Sequence, residues 1–294
     1  MLKAYSWLTF CIVMWGSNFV FGKIIVTYFS PALTTMLRLV FIVTFLIGLA
    51  VYKKHFKPIA KKDFLIILFL GIIGVFLNQL SFFKGLETAD PTTSALIIAT
   101  APILTGVLAA IFLKEKITLR MFFGAVLAII GIFFVVTKGT MSAVQVDKGL
   151  FWIVITMITF SIMIILTRVL SLRIDPLTIT LYSNIIGLIV SIPFAFTLDS
   201  PVQMSLDLPP WLLLISTAVV IHGIATLVWN NYIRYVDAAK ASILSNLEPF
   251  VAMVLGFILL ANPITGVELA GSLLIVGGVV LSTYQKKDQS TDEI

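Results

Sequence analysis

The chain has 294 residues, of which 60% are hydrophobic and 12% are charged, and its mean hydropathy is +1.10. Soluble globular domains contain roughly 25% charged and about 45–50% apolar residues, so this composition excludes them and indicates an integral membrane protein. A formal net charge of +6 would suggest nucleic acid binding in a soluble protein. Lys and Arg in cytoplasmic loops explain it here, and we expect no nucleic acid partner.

Ten stretches of the chain are long and apolar enough to cross a membrane, since about 20 apolar residues span ~30 Å of hydrocarbon. In chain order they cover residues 5–26, 31–52, 64–83, 91–113, 119–137, 149–171, 176–198, 211–233, 239–260 and 265–284. Bundles of membrane helices tolerate the Gly and Pro residues within them. The predicted fold is therefore all-α, a polytopic membrane protein with ten transmembrane helices. Residues 289–294 are expected to form a disordered cytoplasmic tail.

Lys and Arg residues between the spans or near the span ends divide unevenly between the two sides of the membrane. Fifteen lie on the side that holds both termini, and four lie on the other side: Lys23, Lys84, Lys138 and Lys148. Because basic residues collect in cytoplasmic loops, both termini are predicted to be cytoplasmic. An even number of spans likewise places both termini on the same side of the membrane. We therefore expect a multi-pass protein of the inner or plasma membrane of the cell.

The second half of the chain repeats the first half at a shift of 147 residues, without a gap. The residues that stay in register include the pairs Asp90 with Asp237, Pro102 with Pro249, Gly124 with Gly271 and Gly131 with Gly278. Each half holds five spans, so the second half enters the membrane upside down. Inverted repeats are a transporter architecture that places a site between the halves and permits alternating access. We predict two five-helix repeats, residues 1–140 and 147–288.

Three motifs carry a resemblance to a known family: "WGSNFVFGK" in the first span, "APILTGVLAAIFLKEKIT" across spans four and five, and "LEPFVAMVLGFILLANPIT" across spans nine and ten. They resemble the EamA family of the drug/metabolite transporter superfamily. The resemblance implies ten helices in two repeats and export of amino acids, metabolites or drugs, with some members importing. Family members usually close the fourth span of each half with Glu, as Glu115 does here. The second half has Asn262 at the matching position, so any role of the second family Glu is absent here.

Glu248 is the only acid deep within a span. A charge at the bilayer centre costs about 2.5–3.5 kcal/mol on insertion scales, so such a residue suggests function. It could bind a substrate ammonium group or carry a coupled proton; alternatively, it only hydrogen-bonds a neighbouring helix. Pro249 lacks an N–H and frees the carbonyl of Ser245, which predicts a polar kink, and Pro102 predicts a matching kink by freeing the carbonyl of Ile98.

Other polar and aromatic residues within the spans are candidates to line a binding site. They are Trp15, Asn18, Asn78, Gln79, Phe82, His222, Thr226, Trp229 and Asn230. Amides and rings suit an amphipathic or aromatic solute better than a bare ion. Hydrogen bonding between helices is the alternative role. The small-residue face "GSLLIVGG" of the tenth span could pack within the fold or between subunits.

Arg38 is the only cation deep within a span, about 10 Å from the outer end of the second span. It could extend to the outer surface, pair with Glu248 or neutralise a substrate carboxylate. The sequence favours surface extension or a structural pair over substrate binding.

The chain has no P-loop, no cluster with metal-ligand spacing and no evident nucleophile with its base, so we expect no cofactor, no metal and no enzyme activity. The sequence predicts a secondary-active exporter of small metabolites such as amino acids or amphipathic drugs. It would work by alternating access around a site between the repeats. Coupling to protons and formation of a homodimer stay open.

Three other functions remain as alternatives. A sugar-phosphate or nucleotide-sugar carrier would need several cavity cations to match the phosphates, and only Arg38 qualifies. An intramembrane enzyme acting on lipid would have to use Glu248 with His222, the one conceivable titratable pair. A membrane scaffold without transport would leave the deep carboxylate and two matching kinks unexplained.

Overall fold

The computed structural model describes residues 2–55, 57–114, 117–137, 147–232 and 244–283, and nearly all of its secondary structure is helical. In chain order the α-helices are α1 (Leu2–Ile25), α2 (Pro31–Tyr52), α3 (Lys61–Phe69), α4 (Asn78–Thr88), α5 (Pro91–Ile98), α6 (Ala101–Leu113), α7 (Leu119–Thr137), α8 (Lys148–Ser171), α9 (Pro176–Thr197), α10 (Leu208–Ser216), α11 (Ala225–Tyr232), α12 (Glu248–Leu260) and α13 (Gly266–Thr283). Two π-helical segments, π1 (Leu70–Leu77) and π2 (Thr217–Ile224), join α3 to α4 and α10 to α11.

Eight helical stretches of the described chain are long and apolar enough to cross a membrane, and the shorter apolar helices α12 and α13 follow them. This confirms the predicted all-α membrane fold. The count of ten spans remains a prediction, because the first part of the ninth lies outside the described residues. The cytoplasmic position of both termini also remains a prediction, and the tail 289–294 lies outside the described ranges.

The third span differs from the prediction, since it runs from Lys61 to Thr88 rather than over 64–83. The prediction ended the span at Phe83, before the polar residues of "KGLET". Lys84 Nζ, however, lies 2.9 Å from Asp199 Oδ1, and this ion pair offsets the charge. Asp199 Oδ2 also accepts a hydrogen bond from the amide of Ala32 in the first turn of α2. One carboxylate of the second half therefore holds the ends of two spans of the first half.

The two halves repeat the same irregularities of the helix at a shift of 147 residues. The π-helical segments occupy equivalent positions, residues 70–77 and 217–224. The fourth and ninth spans are both interrupted by a turn, at residues 99–100 and 246–247. The helices that follow the turns, α6 and α12, each carry their proline at the second position, where no N–H is required. The structure thus has a helix break at each predicted kink.

The ends of α6 and α12 match as well. Each helix is capped by a residue in the left-handed region, Lys114 with φ of 57° and Ala261 with φ of 53°. These two positions are again 147 residues apart. Left-handed backbone is uncommon for residues other than Gly, so its occurrence at equivalent positions supports a common origin of the two halves.

Helices α7 and α13, the fifth spans of their halves, pack against each other through glycines. Gly124 contacts the carbonyl oxygen of Gly278, and a Cβ on Gly131 would lie 2.6 Å from the carbonyl oxygen of Gly271. Because Gly124 is equivalent to Gly271 and Gly131 to Gly278, the same two glycines of each repeat meet in an antiparallel pair. This is the contact expected of inverted repeats related by a twofold axis. The small-residue face of the tenth span is therefore used within the fold.

We expect Gly131→Ala to destabilise the protein because the new methyl group would press on backbone atoms of α13. Overpacking of this kind costs about 1–3 kcal/mol. Gly48→Ala in α2 is the matched control, since an ideal Cβ there meets nothing within 4 Å. Thermal unfolding in detergent should show a lower melting temperature for Gly131→Ala than for the wild type. The control should melt at or above the wild-type temperature, because Ala favours helix over Gly. Equal melting temperatures for the two variants would contradict the packing described.

The first helix of each half packs against the broken span of the other half. Helix α1 lies against α12, and helix α8 lies against α5 and α6. Gly16 permits the close approach of α1, because a Cβ there would lie 2.7 Å from the carbonyl oxygen of Glu248. These crossed contacts bring the two breaks to the region between the halves.

Candidate functional site

A cavity of about 560 Å³ lies between the two halves. Its size falls within the range of about 300–1,000 Å³ that is usual for small-molecule sites. The predicted site residues among its lining are Trp15, Asn18, Arg38, Asn78, Gln79, Phe82, Pro102, His222, Thr226, Trp229, Ser245 and Glu248. Pro249 is buried next to Glu248 but is not part of the lining. The side chain of Asn230 lies outside the described part of the chain.

The two helix breaks give the cavity one polar and one apolar wall. In the second half the break presents Ser245, Asn246 and Glu248 to the cavity. The equivalent positions of the first half are Ile98, Ala99 and Ala101. Duplication supplied the same bent backbone twice, and substitution made only one of the two copies polar. The two breaks therefore present different chemistry to the cavity although their backbones match.

Glu248 lies in the first turn of α12, where the partial positive charge of a helix N-terminus favours a carboxylate. No hydrogen bond or ion pair joins its carboxylate to another residue of the described chain. A purely structural role would require a hydrogen bond from Glu248 to a neighbouring helix. The described residues form no such bond. Glu248 is half-buried, and the surface that it exposes faces the cavity.

Arg38 is 0% exposed and lines the same cavity, so the expected extension to the outer surface is wrong. Its Nη1 donates a hydrogen bond of 2.6 Å to Thr217 Oγ1, and its Nη2 lies 2.8 Å from His222 Nδ1. The ring of Phe83 packs at 5.1 Å from the guanidinium carbon. The expected pair with Glu248 is not formed, and no acid of the described ranges lies within ion-pair distance of Arg38. Two neutral acceptors on one helical segment hold the arginine in place instead.

The contact with Arg38 also defines the state of His222. Arginine carries donors only, so Nδ1 of His222 must accept this hydrogen bond. The imidazole proton of the neutral ring then resides on Nε2. His222 is therefore engaged with Arg38 and is not paired with Glu248. The alternative of an intramembrane enzyme would need that pair.

The aromatic and amide residues of the cavity divide into two groups. Trp15 and Asn78 are tied to other helices: Trp15 Nε1 donates to the carbonyl of Ile221 at 3.2 Å, and Asn78 Nδ2 donates to the carbonyl of Thr156 at 3.0 Å. These bonds favour the structural role for their polar groups. The ring of Trp15 still packs against Trp229, with 5.0 Å between ring centroids.

In the second group, which also includes Arg38, the residues have buried polar atoms without a partner among the described residues. They are Asn18 Oδ1, Arg38 Nε, Gln79 Oε1 and Asn246 Nδ2. Buried polar atoms are normally hydrogen-bonded, and unpaired ones need an explanation. All four belong to residues that line the cavity, so a rearrangement of the site, alone or on binding of a solute, would satisfy them.

Sequence reasoning missed several residues of this site. Asn246 and Phe83 line the cavity, and Thr217 holds Arg38 without lining it. Asn246 could have been found, because it directly follows Ser245 and precedes the predicted kink. Thr217 gave no signal, since its role depends on a contact with a residue 179 positions away.

Comparisons with known proteins agree with this architecture. A profile of the EamA-like transporter family matches residues 2–137 and again residues 147–284. "Uncharacterized transporter YyaM" of Bacillus subtilis (strain 168) is 28% identical over 98% of this chain and 98% of its own. "Uncharacterized transporter YetK" of the same organism is 27% identical over 97% of this chain and 88% of its own. An uncharacterized transporter of Archaeoglobus fulgidus is 27% identical over 95% of this chain and 98% of its own.

A solved crystal structure shares the fold, with a TM-score of 0.67 over 96% of this chain and 97% of the other at 18% identity. The family profile covers nearly all of the chain in two consecutive matches, and its two matches coincide with the halves that repeat in the structure. The resemblance found in the sequence is thereby confirmed, together with the general role of a multi-pass membrane transporter. The chain belongs to the EamA-like transporter family.

Proposed function

We propose that the protein is a secondary-active exporter of small metabolites, such as amino acids or amphipathic drugs, that works by alternating access. The observation that carries the proposal is the cavity of about 560 Å³, which both halves line and which holds a carboxylate without a partner among the described residues. The relatives described above are named as transporters, which supports the proposal. The inner or plasma membrane is the expected location, with the lipid bilayer and the solute as partners.

The helix breaks supply the hinges that alternating access needs. Inverted repeats move substrate by exchanging the conformations of their two halves. A few residues at the ends of helices can absorb such changes in φ and ψ. In this structure α5 and α12 pack together, and Gly256 faces the hydroxyl of Thr92. In the predicted orientation these helices are the outer parts of the broken spans. Separation of α5 from α12 at residues 99–100 and 246–247 would open the cavity on that side.

Glu248 and the rings suit a solute with a positively charged amine. A substrate ammonium group would pair with the carboxylate of Glu248. The ring pairs Trp15–Trp229 and Phe19–Phe82 would pack on the apolar part of the substrate. A carboxylate that binds either an ammonium group or a proton cannot bind both. This competition would couple export of the solute to entry of a proton.

The sugar-phosphate alternative fits the cavity less well. Phosphate groups are bound by several cations or bidentate arginines. Arg38 is the one Lys or Arg among the lining residues of the described cavity, and two of its donors are already used by Thr217 and His222.

Transport in proteoliposomes tests the proposal. A pool of labelled amino acids and small amines is offered for counterflow by the wild type and by Ala99→Trp, whose indole would fill the cavity. We expect the wild type to move at least one solute and the variant to show background flux only. Ala270→Trp, at an exposed position of α13, is the matched control and should transport normally. Absence of wild-type flux for every solute, or full flux in Ala99→Trp, would refute the proposal.

A further inference from the structure

Arg38 is a buried cation to which the transport cycle described above assigns no role. We propose that its guanidinium binds a carboxylate of the substrate, with Thr217 and His222 as the residues that position it. The cargo would then be a small zwitterion that carries both an ammonium and a carboxylate group, rather than a simple amine. This inference rests on the proposed function and narrows its substrate class.

The guanidinium is held in a defined orientation with donors to spare. Of its five N–H groups, one from Nη1 bonds Thr217 and one from Nη2 bonds His222. The Nε–H group is buried without a partner in the described chain. Nε and one terminal nitrogen form the edge that binds carboxylates in a bidentate manner. Arg38 is 0% exposed, so a carboxylate reaches this edge only when neighbouring side chains move aside. Because the fork is already oriented, less freedom is lost when the anion binds.

The π-helical segment π2 explains how one helix supplies both contacts. Thr217 and His222 are five residues apart, and an α-helix would direct them to different sides, since it advances by 100° per residue. A π-helix closes its hydrogen bonds from i to i+5, so residues five apart lie nearly one above the other. Thr217 and His222 thus face the same guanidinium. Phe83, which packs on it at 5.1 Å, limits its remaining movement.

The charges of the cavity lead to the same ligand. Burial of an unpaired cation is unfavourable, and a hydroxyl and a neutral imidazole accept hydrogen bonds without supplying negative charge. Glu248 is the corresponding anion of the same cavity, and it has no ion-pair partner within the part of the chain that the structure describes. The two groups lie beyond ion-pair distance of each other, so they do not neutralise one another directly. A zwitterion neutralises both groups, whereas an amine leaves Arg38 uncompensated.

Matched substrates test this inference. Amino acids are compared with the amines that differ from them only by loss of the carboxylate, such as leucine with isopentylamine and phenylalanine with phenethylamine. Initial rates of counterflow are measured in proteoliposomes for the wild type, Arg38→Gln and Arg38→Lys. We expect the wild type to prefer the amino acid roughly ten- to a hundredfold in kcat/KM. Arg38→Gln should lose this preference, and Arg38→Lys should recover only part of it, because an ammonium group cannot bind in a bidentate manner.

Variants of Thr217 test its role in positioning Arg38. Thr217→Val keeps the shape of the side chain but removes the acceptor, so the KM for the amino acid should rise severalfold with little change in kcat. Thr217→Ser should restore the wild-type KM. If Arg38→Gln does not fold, the wild-type preference and the pair of Thr217 variants decide the question.

The outcomes separate this inference from the proposed function. Equal wild-type rates for amino acid and amine would overturn the role of Arg38 while transport itself stood. An unchanged preference in Arg38→Gln, or an unchanged KM in Thr217→Val, would do the same. Flux of neither class would overturn both the inference and the proposed function.

Discussion

Glu248→Gln is expected to reduce proton-driven export to the background level while the protein remains folded. Glutamine has nearly the same shape, but it can neither pair with an ammonium group nor carry the coupled proton. Removal of one partner from a buried charge pair costs about 2–5 kcal/mol, which corresponds to roughly thirtyfold or more in binding. Because the carboxylate has no partner among the described residues, its loss should not break a contact that stabilises the fold.

The measurement is export from proteoliposomes with and without a pH gradient, together with a melting curve for each variant. Glu248→Asp retains the charge on a shorter side chain and should keep part of the coupled flux. Glu87→Gln, at an exposed acid near the end of α4, is the control and should behave as the wild type does. Wild-type flux in Glu248→Gln, with an unchanged response to the gradient, would assign Glu248 a structural role. Binding would then have to be sought at Trp15, Asn18 and the residues of span eight.

Asn262→Asp is expected to open the side of the cavity on which α5 meets α12. Asn262 Nδ2 donates a hydrogen bond of 2.6 Å to Asp90 Oδ2 and so connects the two broken spans near their ends. The other oxygen of Asp90 accepts from the amide of Thr93 as the cap of α5, which fixes the carboxylate in place. An aspartate at position 262 would place two carboxylates in contact. Like charges at this distance repel, and the contact between the spans should loosen.

A second substitution should reverse the effect. In Asp90→Asn with Asn262→Asp the donor and the acceptor exchange sides, and the hydrogen bond can form again. Asn caps a helix about as well as Asp, so α5 keeps its start. The double variant therefore separates the loss of this one bond from a general loss of stability.

Thiol labelling reports the opening. In a Cys11→Ser background, Ala99→Cys places a single thiol in the cavity, and a membrane-impermeant maleimide is added to intact cells. We expect labelling to increase severalfold in Asn262→Asp and to return to the starting level in the double variant. Equal labelling of all three proteins would contradict a gating role for this contact.

The same contact accounts for the departure of Asn262 from the family pattern. The first half has Glu115 at the equivalent position, and no neighbouring residue in the sequence explains the difference. In the structure, residue 262 must donate a hydrogen bond to an aspartate that already caps a helix. A side-chain amide can do this, whereas an ionised glutamate cannot.

The sequence by itself determined the fold class, most span boundaries and the equivalence of the two halves. Apolar length decides whether a segment can cross a bilayer, because every backbone polar group must be satisfied within the helix there. The helix breaks at residues 99–100 and 246–247 were also foreseeable, since Pro102 and Pro249 lack an N–H wherever they stand. The spans and the helix breaks are local features, and each depends on residues that are close together in the chain.

Only the tertiary structure decided how distant residues meet. The burial of Arg38 depends on acceptors that lie 179 and 184 residues further along the chain, so composition alone favoured extension to the surface. The use of the glycine face of α13 within the fold depends on the matching glycines of α7. The two π-helical segments left no sequence signal that we recognised, yet π2 aligns the two side chains that hold Arg38. A sequence shows which residues share a face of a helix, but the packing of the whole bundle determines which residues that face contacts. The chemistry of this cavity arises from those contacts.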